Sequence, residues 1–432
     1  MYAACVSWPS APVTKSLVLN AIGGDAASDS PTDGPTLFWS TYDEIPHELV
    51  HSRRQTTLAS SYTFRKALIR KHFLSRNITV YVTKTPQSPL KTAAPKTYEI
   101  ELSHLDELLW ELGKELETGD SWWILKPGMA DRGNGVRMFS SRAALERIFE
   151  EFEEADDEDD DDEGESTAVV TSQLRHFVIQ EYLSNPLLFD PMETSSPKPD
   201  TLKGRKVNRT CRRGTLLIEN SSTFEHIASH LVPFESIFST RFSRCSPPSH
   251  IRDPWPMKMG TANLSPFNLL PHLTNTSLQT ERGDENVRLF DELVSCRVLS
   301  GDTEARFTPQ DKEDIVDQIA TVLAETFKVL QFKTPPTSRQ PVPNCFELFG
   351  VDFLVTHAPF AARPFQVSIL EVNAEPAIEL TGPRLSWILR DLFINIHKVC
   401  VTPFFAQQEA VQCKVGETQH GLIKCLEMSL GL

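Results

Sequence analysis

Phe346-Glu347-Leu348-Phe349-Gly350-Val351-Asp352-Phe353-Leu354-Val355 and, further on, Ser368-Ile369-Leu370-Glu371-Val372-Asn373 read as two apolar strands carrying three oxygen-bearing side chains, Asp352, Glu371 and Asn373. Alternate side chains of a strand share a face, so Glu371 and Asn373 project together while Val372 turns into the protein. Packing gives no reason for charge at the end of such a run. Hard oxygen donors grouped in this way suit Mg²⁺, which takes one or two carboxylates and completes an octahedron with phosphate and water. The alternative is a buried strand ending at a turn, with Asp and Asn present as turn formers.

Three upstream segments bear on the choice. Ser121-Trp122-Trp123-Ile124-Leu125-Lys126-Pro127 reads as a strand ending in a lysine. It runs into a glycine-rich loop, Gly128-Met129-Ala130-Asp131-Arg132-Gly133-Asn134-Gly135-Val136. Glycines let backbone N–H groups turn toward an anion with no Cβ in the way, and Lys126 can bring a point charge to the same oxygens. No Gly-Lys-Ser/Thr closes the loop and no G-x-G-x-x-G spacing occurs, so it is neither a P-loop nor a dinucleotide fingerprint. Taken alone, a surface hairpin explains it better. The third segment, Phe177-Val178-Ile179-Gln180-Glu181-Tyr182-Leu183, reads as a strand with a polar end, which alone is an ordinary core strand.

The order of these segments is what ordinary packing leaves unexplained. Lysine strand, glycine loop, Gln-Glu-Tyr-Leu strand, then Asp and Glu-x-Asn strands resembles the ATP-grasp arrangement, and the wording resembles the tubulin-tyrosine ligase family, fungal members in particular. Further matches are Trp8-Pro9-Ser10-Ala11-Pro12, Arg65-Lys66-Ala67-Leu68-Ile69-Arg70-Lys71, Asn185-Pro186-Leu187-Leu188, the run from His272 to Gln279, and Glu371-Val372-Asn373-Ala374-Glu375-Pro376-Ala377. The resemblance spans nearly the whole chain. It implies an α/β (α+β) ATP-grasp fold with nucleotide between two lobes, plus a smaller N-terminal lobe.

Residue by residue, the resemblance implies that Lys71 and Lys126 contact the ATP phosphates. Arg132, Gly133, Asn134, Gly135 and Val136 would cover them, and Gln180, Glu181, Tyr182 and Leu183 would hold the adenine through the backbone. Asp352, Glu371 and Asn373 would bind Mg²⁺, with Glu371 and Arg132 taking the catalytic part. The implied reaction joins an amino acid to a protein carboxylate, such as the acidic tail of tubulin, through an acyl phosphate. Side-chain glutamylation or glycylation is the rival within the family. A free-standing metabolic ligase is a more distant option.

One stretch departs from the family. After Gly204-Arg205-Lys206 the family has a strand with a basic or acidic residue two positions on and an arginine four on, whereas here the chain reads Val207-Asn208-Arg209-Thr210-Cys211-Arg212-Arg213. As far as Arg252 it is rich in Ser, Arg, Pro and His with little two-residue alternation. The reading is a retained intron or shifted reading frame in the gene model, which a mature message encoding every residue would refute. If genuine, the stretch alters a central strand bearing basic catalytic residues, and a catalytically impaired ATP-binding protein or scaffold becomes the alternative function.

Composition sets the remaining bounds. The chain has 432 residues, 40% hydrophobic and 23% charged, ordinary for a globular protein large enough for two or three packed lobes. No apolar run approaches a membrane span, no secretory leader is evident, and eight cysteines show no C-x-x-C pair, so the expected setting is cytoplasmic with no membrane partner. Of the net charge of -15, 13 acidic residues fall between Glu150 and Glu165 with no basic one. Such density reads as a solvated, disordered insertion, most simply a spacer, with mimicry of an acidic substrate as the sharper idea.

The basic segment from Tyr62 to Phe73 lacks the interleaved aromatics of a nucleic-acid surface, so no nucleic acid is expected there; a strand is predicted at Asn77 to Val82. A proline-rich link follows from Pro86 to Pro95. Helix stripes are predicted at Leu105, Leu108, Leu109, Leu112 and Leu116, at Ile315, Ile319, Val322, Leu323, Phe327 and Leu330, and at Leu385, Ile388, Leu389, Leu392, Phe393 and Ile396. His272 and Asn275 read either as a bonded pair at a turn or as cleft lining. The domain expectation is 1–85 as an N-terminal lobe, 86–270 as a central lobe holding the acidic insertion at 150–165 and the anomalous stretch at 207–252, and 271–432 as a C-terminal lobe with the metal site.

Overall fold

The structure is a computed structural model that describes residues 2–24, 27–28, 30–63, 65–101, 112–113, 115–117, 121–128, 135–158, 176–189, 213–220, 226–232, 238–239, 287–300, 305–329, 344–358, 362–376, 378–381, 386–406 and 413–429. In chain order the elements used below are β1 (Ala3–Cys5), α1 (Pro12–Ile22), β2 (Thr36–Phe38), β3 (Thr57–Ala59) and α2 (Lys71–Lys84). Then come β4 (Thr97–Glu101), β5 (Trp123–Pro127), β6 (Arg137–Phe139), α3 (Arg142–Glu158) and β7 (His176–Glu181). The remainder are β8 (Arg213–Asn220), β9 (His226–Val232), α4 (Pro309–Val329), β10 (Phe346–His357), β11 (Phe365–Asn373), α5 (Ser386–Ile396), β12 (Thr418–Gln419) and β13 (Leu422–Ser429). Among the described residues no helix is long and apolar enough to cross a membrane.

The chain divides into two compact units, one of Met1–Pro95, Leu183–Phe238 and Arg288–Leu432, the other of Lys96–Tyr182 and Ser239–Val287. The first is built on an antiparallel sheet of order β11-β10-β8-β9-β13-β12. On β10, Phe349, Val351, Phe353 and Val355 share a buried cluster with Ile315, Ile319, Val322 and Leu323 of α4 and Leu74, Ile78 and Tyr81 of α2. The α4 and α5 stripes match the sequence reading, except that Leu330 and Leu385 lie outside the described residues.

Three expectations for this unit need correction. Residues 1–85 do not stand apart from the C-terminal segment. The parallel sheet β1-β2-β3 and α1 bury Ala4, Val18, Leu37 and Leu58 in one cluster with Phe346, Leu389 and Phe393. Trp39 sits edge-on to Phe346, with ring centroids 5.4 Å apart. The predicted strand at Asn77 to Val82 is part of helix α2. Its β-branched run suggested a strand, but Leu74, Asn77, Ile78 and Tyr81 are buried at helical spacing, and tertiary packing overrides propensity. Tyr81 also donates its hydroxyl to Glu325 Oε2 on α4 at 2.9 Å. The proline-rich link contains a buried helical turn, Leu90–Ala93.

The stretch 207–252 also contains order that its text hides, since β8 pairs along β10 from Phe346↔Glu219 to Asp352↔Arg213 and β9 continues the sheet. The second unit is an antiparallel sheet of order β4-β7-β5-β6 with α3 against it. Trp123, Leu125, Phe177 and Ile179 face Leu145, Ile148 and Phe149 of α3, together with Leu112 and Leu116; Leu105, Leu108 and Leu109 lie outside the described residues. Helix α3 runs to Glu158, so residues 150–158 are helical where disorder was expected, and 159–165 lie outside the described residues. The stripe of Leu145, Ile148, Phe149 and Phe152 holds one face of this helix on the sheet and explains why the start of the acidic run is ordered.

Candidate nucleotide and metal site

The carboxylate group lies where β10 and β11 pair. Gly350 stands opposite Asn373, Val351 opposite Val372 and Asp352 opposite Glu371; the next pair is Phe353 with Ile369. Leu370 is therefore an extra residue, so that Leu370 and Glu371 both face the single Asp352. Such a bulge re-aims side chains. Without it, Glu371 would share the phase of buried Val367 and Ile369; after it, Val372 enters the core and Glu371 and Asn373 lie on the other face. Gly350 packs closely here: a Cβ there would lie 3.3 Å from Pro376 Cα, so that backbone would have to give by a few tenths of an ångström.

All three polar side chains are half-buried and linked. Asn373 Nδ2 donates to Asp352 Oδ2 at 3.3 Å and to Glu371 Oε1 at 3.5 Å. Lys71, the first residue of α2, places Nζ 3.3 Å from Glu371 Oε2. Two carboxylates and an amide are a hard donor set that fits Mg²⁺ carrying further oxygens from phosphate and water. Among the described residues no group of three His, Cys, Asp or Glu could hold a metal alone. The fit therefore depends on oxygens that a nucleotide brings.

The same strand β10 carries an ion pair that the sequence reading did not find. Arg65 Nη1 donates to Glu347 Oε1 at 2.6 Å, and the Tyr62 N–H donates to Glu347 Oε2 at 3.0 Å. The Glu347 side chain is 3% exposed, and the Arg65 guanidinium also lies over the Tyr42 ring at 4.1 Å. Burial pushes the Glu347 carboxyl up to about 7, against the opposing pull of Arg65 and the Tyr62 N–H. The only sequence signal was a glutamate inside an apolar strand. Its partner is 282 positions away.

In the second unit, Lys126 Nζ donates to Gln180 Oε1 at 2.6 Å, and Gln180 Nε2 donates to Thr97 Oγ1 at 3.4 Å. The pair lies on the sheet face opposite α3, where Ile124, Val136 and Met138 form a small apolar cluster with Trp122 and Tyr182. Gly135 has φ +69°, and a Cβ there would meet Pro127 Cγ at 2.8 Å, so this position of the loop demands glycine. The Glu181 and Tyr182 N–H groups donate to the Lys96 and Trp122 carbonyls at 2.8 and 2.9 Å. These two amides close the sheet, which narrows the backbone role expected of 180–183. Arg132, Gly133, Asn134, His272 and Asn275 lie outside the described residues.

The C-terminal domain of Kluyveromyces lactis Pby1, described as an ATP-grasp enzyme interacting with the mRNA decapping enzyme Dcp2, resembles this chain with a TM-score of 0.59 and 25% identity over 99% of both chains. The fold is thus α+β of the ATP-grasp type, a class whose members bind ATP. The chain belongs to the tubulin-tyrosine ligase family, whose model matches residues 51–195 and 261–409. A Saccharomyces cerevisiae relative, the probable tubulin–tyrosine ligase PBY1, is 33% identical over 392 residues, covering 85% of this chain and 46% of that protein. A Schizosaccharomyces pombe probable tubulin–tyrosine ligase is 30% identical over 390 residues, covering 85% and 83%. This chain spans about half the length of the budding-yeast relative.

Proposed function

We propose that this protein is an ATP-dependent carboxylate–amine ligase of the cytoplasm that joins an amino acid to a protein carboxylate. The observation that carries the reading is the convergence of Asp352, Glu371 and Asn373 on one face of the β10–β11 pair, with Lys71 at Glu371. A carboxylate and an amine do not condense in neutral water. In the proposed reaction a carboxylate oxygen takes the γ-phosphoryl group, the bond from γ-phosphorus to the bridging oxygen breaks, and ADP leaves. The amine nitrogen then attacks the acyl carbon, loses a proton, and displaces phosphate. Asp352, Glu371 and Asn373 would hold Mg²⁺, which supplies neutralisation of charge on the transferring group.

Lys71 and Lys126 would bind phosphate oxygens, Gln180 would hold the Lys126 ammonium in place, and the Gly135 turn would bring backbone close to an anion. Arg132, Gly133, Asn134 and Val136 complete the proposed phosphate cover, with Arg132 and Glu371 in the catalytic part. Glu181, Tyr182 and Leu183 are proposed at the adenine. Because two of these N–H groups are already bonded, a donor to the base would come from Leu183.

The test incubates purified protein with ATP, magnesium, tubulin and each labelled amino acid, measuring ADP and label in protein. Label with ADP establishes the ligase and its amino acid, separating tyrosine addition from glutamylation or glycylation. A second reading, an ATP-binding scaffold for an mRNA decapping enzyme, draws on the Kluyveromyces lactis domain, which this chain matches over 99% of its length. Nucleotide binding with neither ADP nor label, together with co-purification of a decapping enzyme, would favour it.

A further inference from the structure

Lys71 stands at the carboxylate group as a cation already in place. Its Nζ is 3.3 Å from Glu371 Oε2, with the two side chains 20% and 26% exposed. The other oxygen of Glu371 and Oδ2 of Asp352 both accept from Asn373 Nδ2. The two acidic groups are thus held by an ammonium and an amide nitrogen, donors that a metal ion cannot tolerate in the same positions. A divalent cation bound by Glu371 would face the Lys71 charge across a shared carboxylate, and Asn373 could offer its oxygen only after its amide turned over. Both obstacles ease if an anion draws the ammonium away. The phosphates of a nucleotide are such an anion.

Resting on the nucleotide reading of this site, we infer that Lys71 is an internal counter-ion of the metal carboxylates, which keeps divalent cation weakly bound until nucleotide phosphates take its ammonium. Metal and nucleotide then load together, and by linkage each strengthens the other to the same degree. Lys71 in this role couples the two ligands, because the same ammonium is exchanged from Glu371 to phosphate.

The experiment titrates the full chain with Mn²⁺, following free Mn²⁺ by electron paramagnetic resonance, with and without adenylyl imidodiphosphate. Without nucleotide, Lys71→Met should bind Mn²⁺ about tenfold more tightly than wild type, and Lys71→Gln, which keeps donors without charge, should behave the same way. The analogue should tighten Mn²⁺ binding to wild type and do so far less in either variant. Equal Mn²⁺ affinity of wild type and both variants without nucleotide overturns the inference, as does a tightening seen in Lys71→Met alone. Asp352→Asn separates this from failure of the site itself: if that variant binds Mn²⁺ as wild type does, the carboxylates are not the metal site and the parent reading falls as well. Thermal melting of each variant confirms that the comparison is made on folded protein.

Discussion

Glu371 is the residue on which most of the proposed chemistry turns, since it faces Asp352, accepts from Asn373 and pairs with Lys71. Glu371→Gln keeps size and one acceptor oxygen but removes the charge that would bridge to a metal. ATP turnover should fall by roughly a hundredfold or more, and a wild-type rate in the variant would remove Glu371 from the site. Gly135 makes a different demand. Gly135→Ala must hold a side chain at φ +69° with its Cβ 2.8 Å from Pro127 Cγ. The left-handed conformation alone costs about 1–2 kcal/mol, so ATP affinity should weaken while Gly24→Ala, in open space, leaves it unchanged. Equal ATP affinity of Gly135→Ala and wild type would remove this turn from the phosphate site. These residues were legible because chemistry and local spacing coincide within a few positions. The Arg65–Glu347 pair was not, because no local pattern announces a partner so far along the chain.

Elements carry information that residue spacing hides. The strands bearing Lys126, Gln180, Asp352 and Glu371 follow from their apolar runs, yet the extra residue at Leu370 does not, because strict alternation from Ile369 would send Glu371 into the core. Helix α2 was hidden by Ile78, Thr79, Val80 and Val82, whose strand preference is outweighed by packing against α4. Helix α1 shows a related long-range dependence. Its N-cap is Ala11, with no side-chain cap, and the Thr14 N–H and hydroxyl donate instead to Glu379 Oε1 at 3.0 and 3.1 Å. A carboxylate there satisfies an orphan donor and complements the helix dipole. Glu379→Ala should therefore cost about 1 kcal/mol in urea unfolding, and an unshifted midpoint would show that the helix needs no such cap.

At the scale of the whole molecule, the first unit is assembled from three separate lengths of chain, and the join between the N-terminal segment and β10 is polar as well as apolar. Asn344 Nδ2 donates to the Val50 and Thr57 carbonyls at 3.0 and 2.9 Å, and Glu347 takes Arg65 and the Tyr62 N–H. The Glu347 carboxyl is almost fully buried there, and burial disfavours its charged form more than Arg65 favours it, so this join is sensitive to the ionisation of Glu347. Its carboxyl is raised by burial from 4.5 to about 7, so between these values the folded protein binds this proton more tightly than the unfolded chain. Stability contributed by the group is present below pH 4.5 and is lost as pH rises to about 7. Glu347→Gln cannot ionise and retains an acceptor for the Tyr62 N–H. Measured by urea unfolding from pH 4.5 to pH 7.5, the variant should gain stability relative to wild type as pH rises through the Glu347 window. A change in the opposite direction would mean that Arg65, rather than burial, governs the carboxylate, and that the charged pair itself fastens the N-terminal segment to the central sheet.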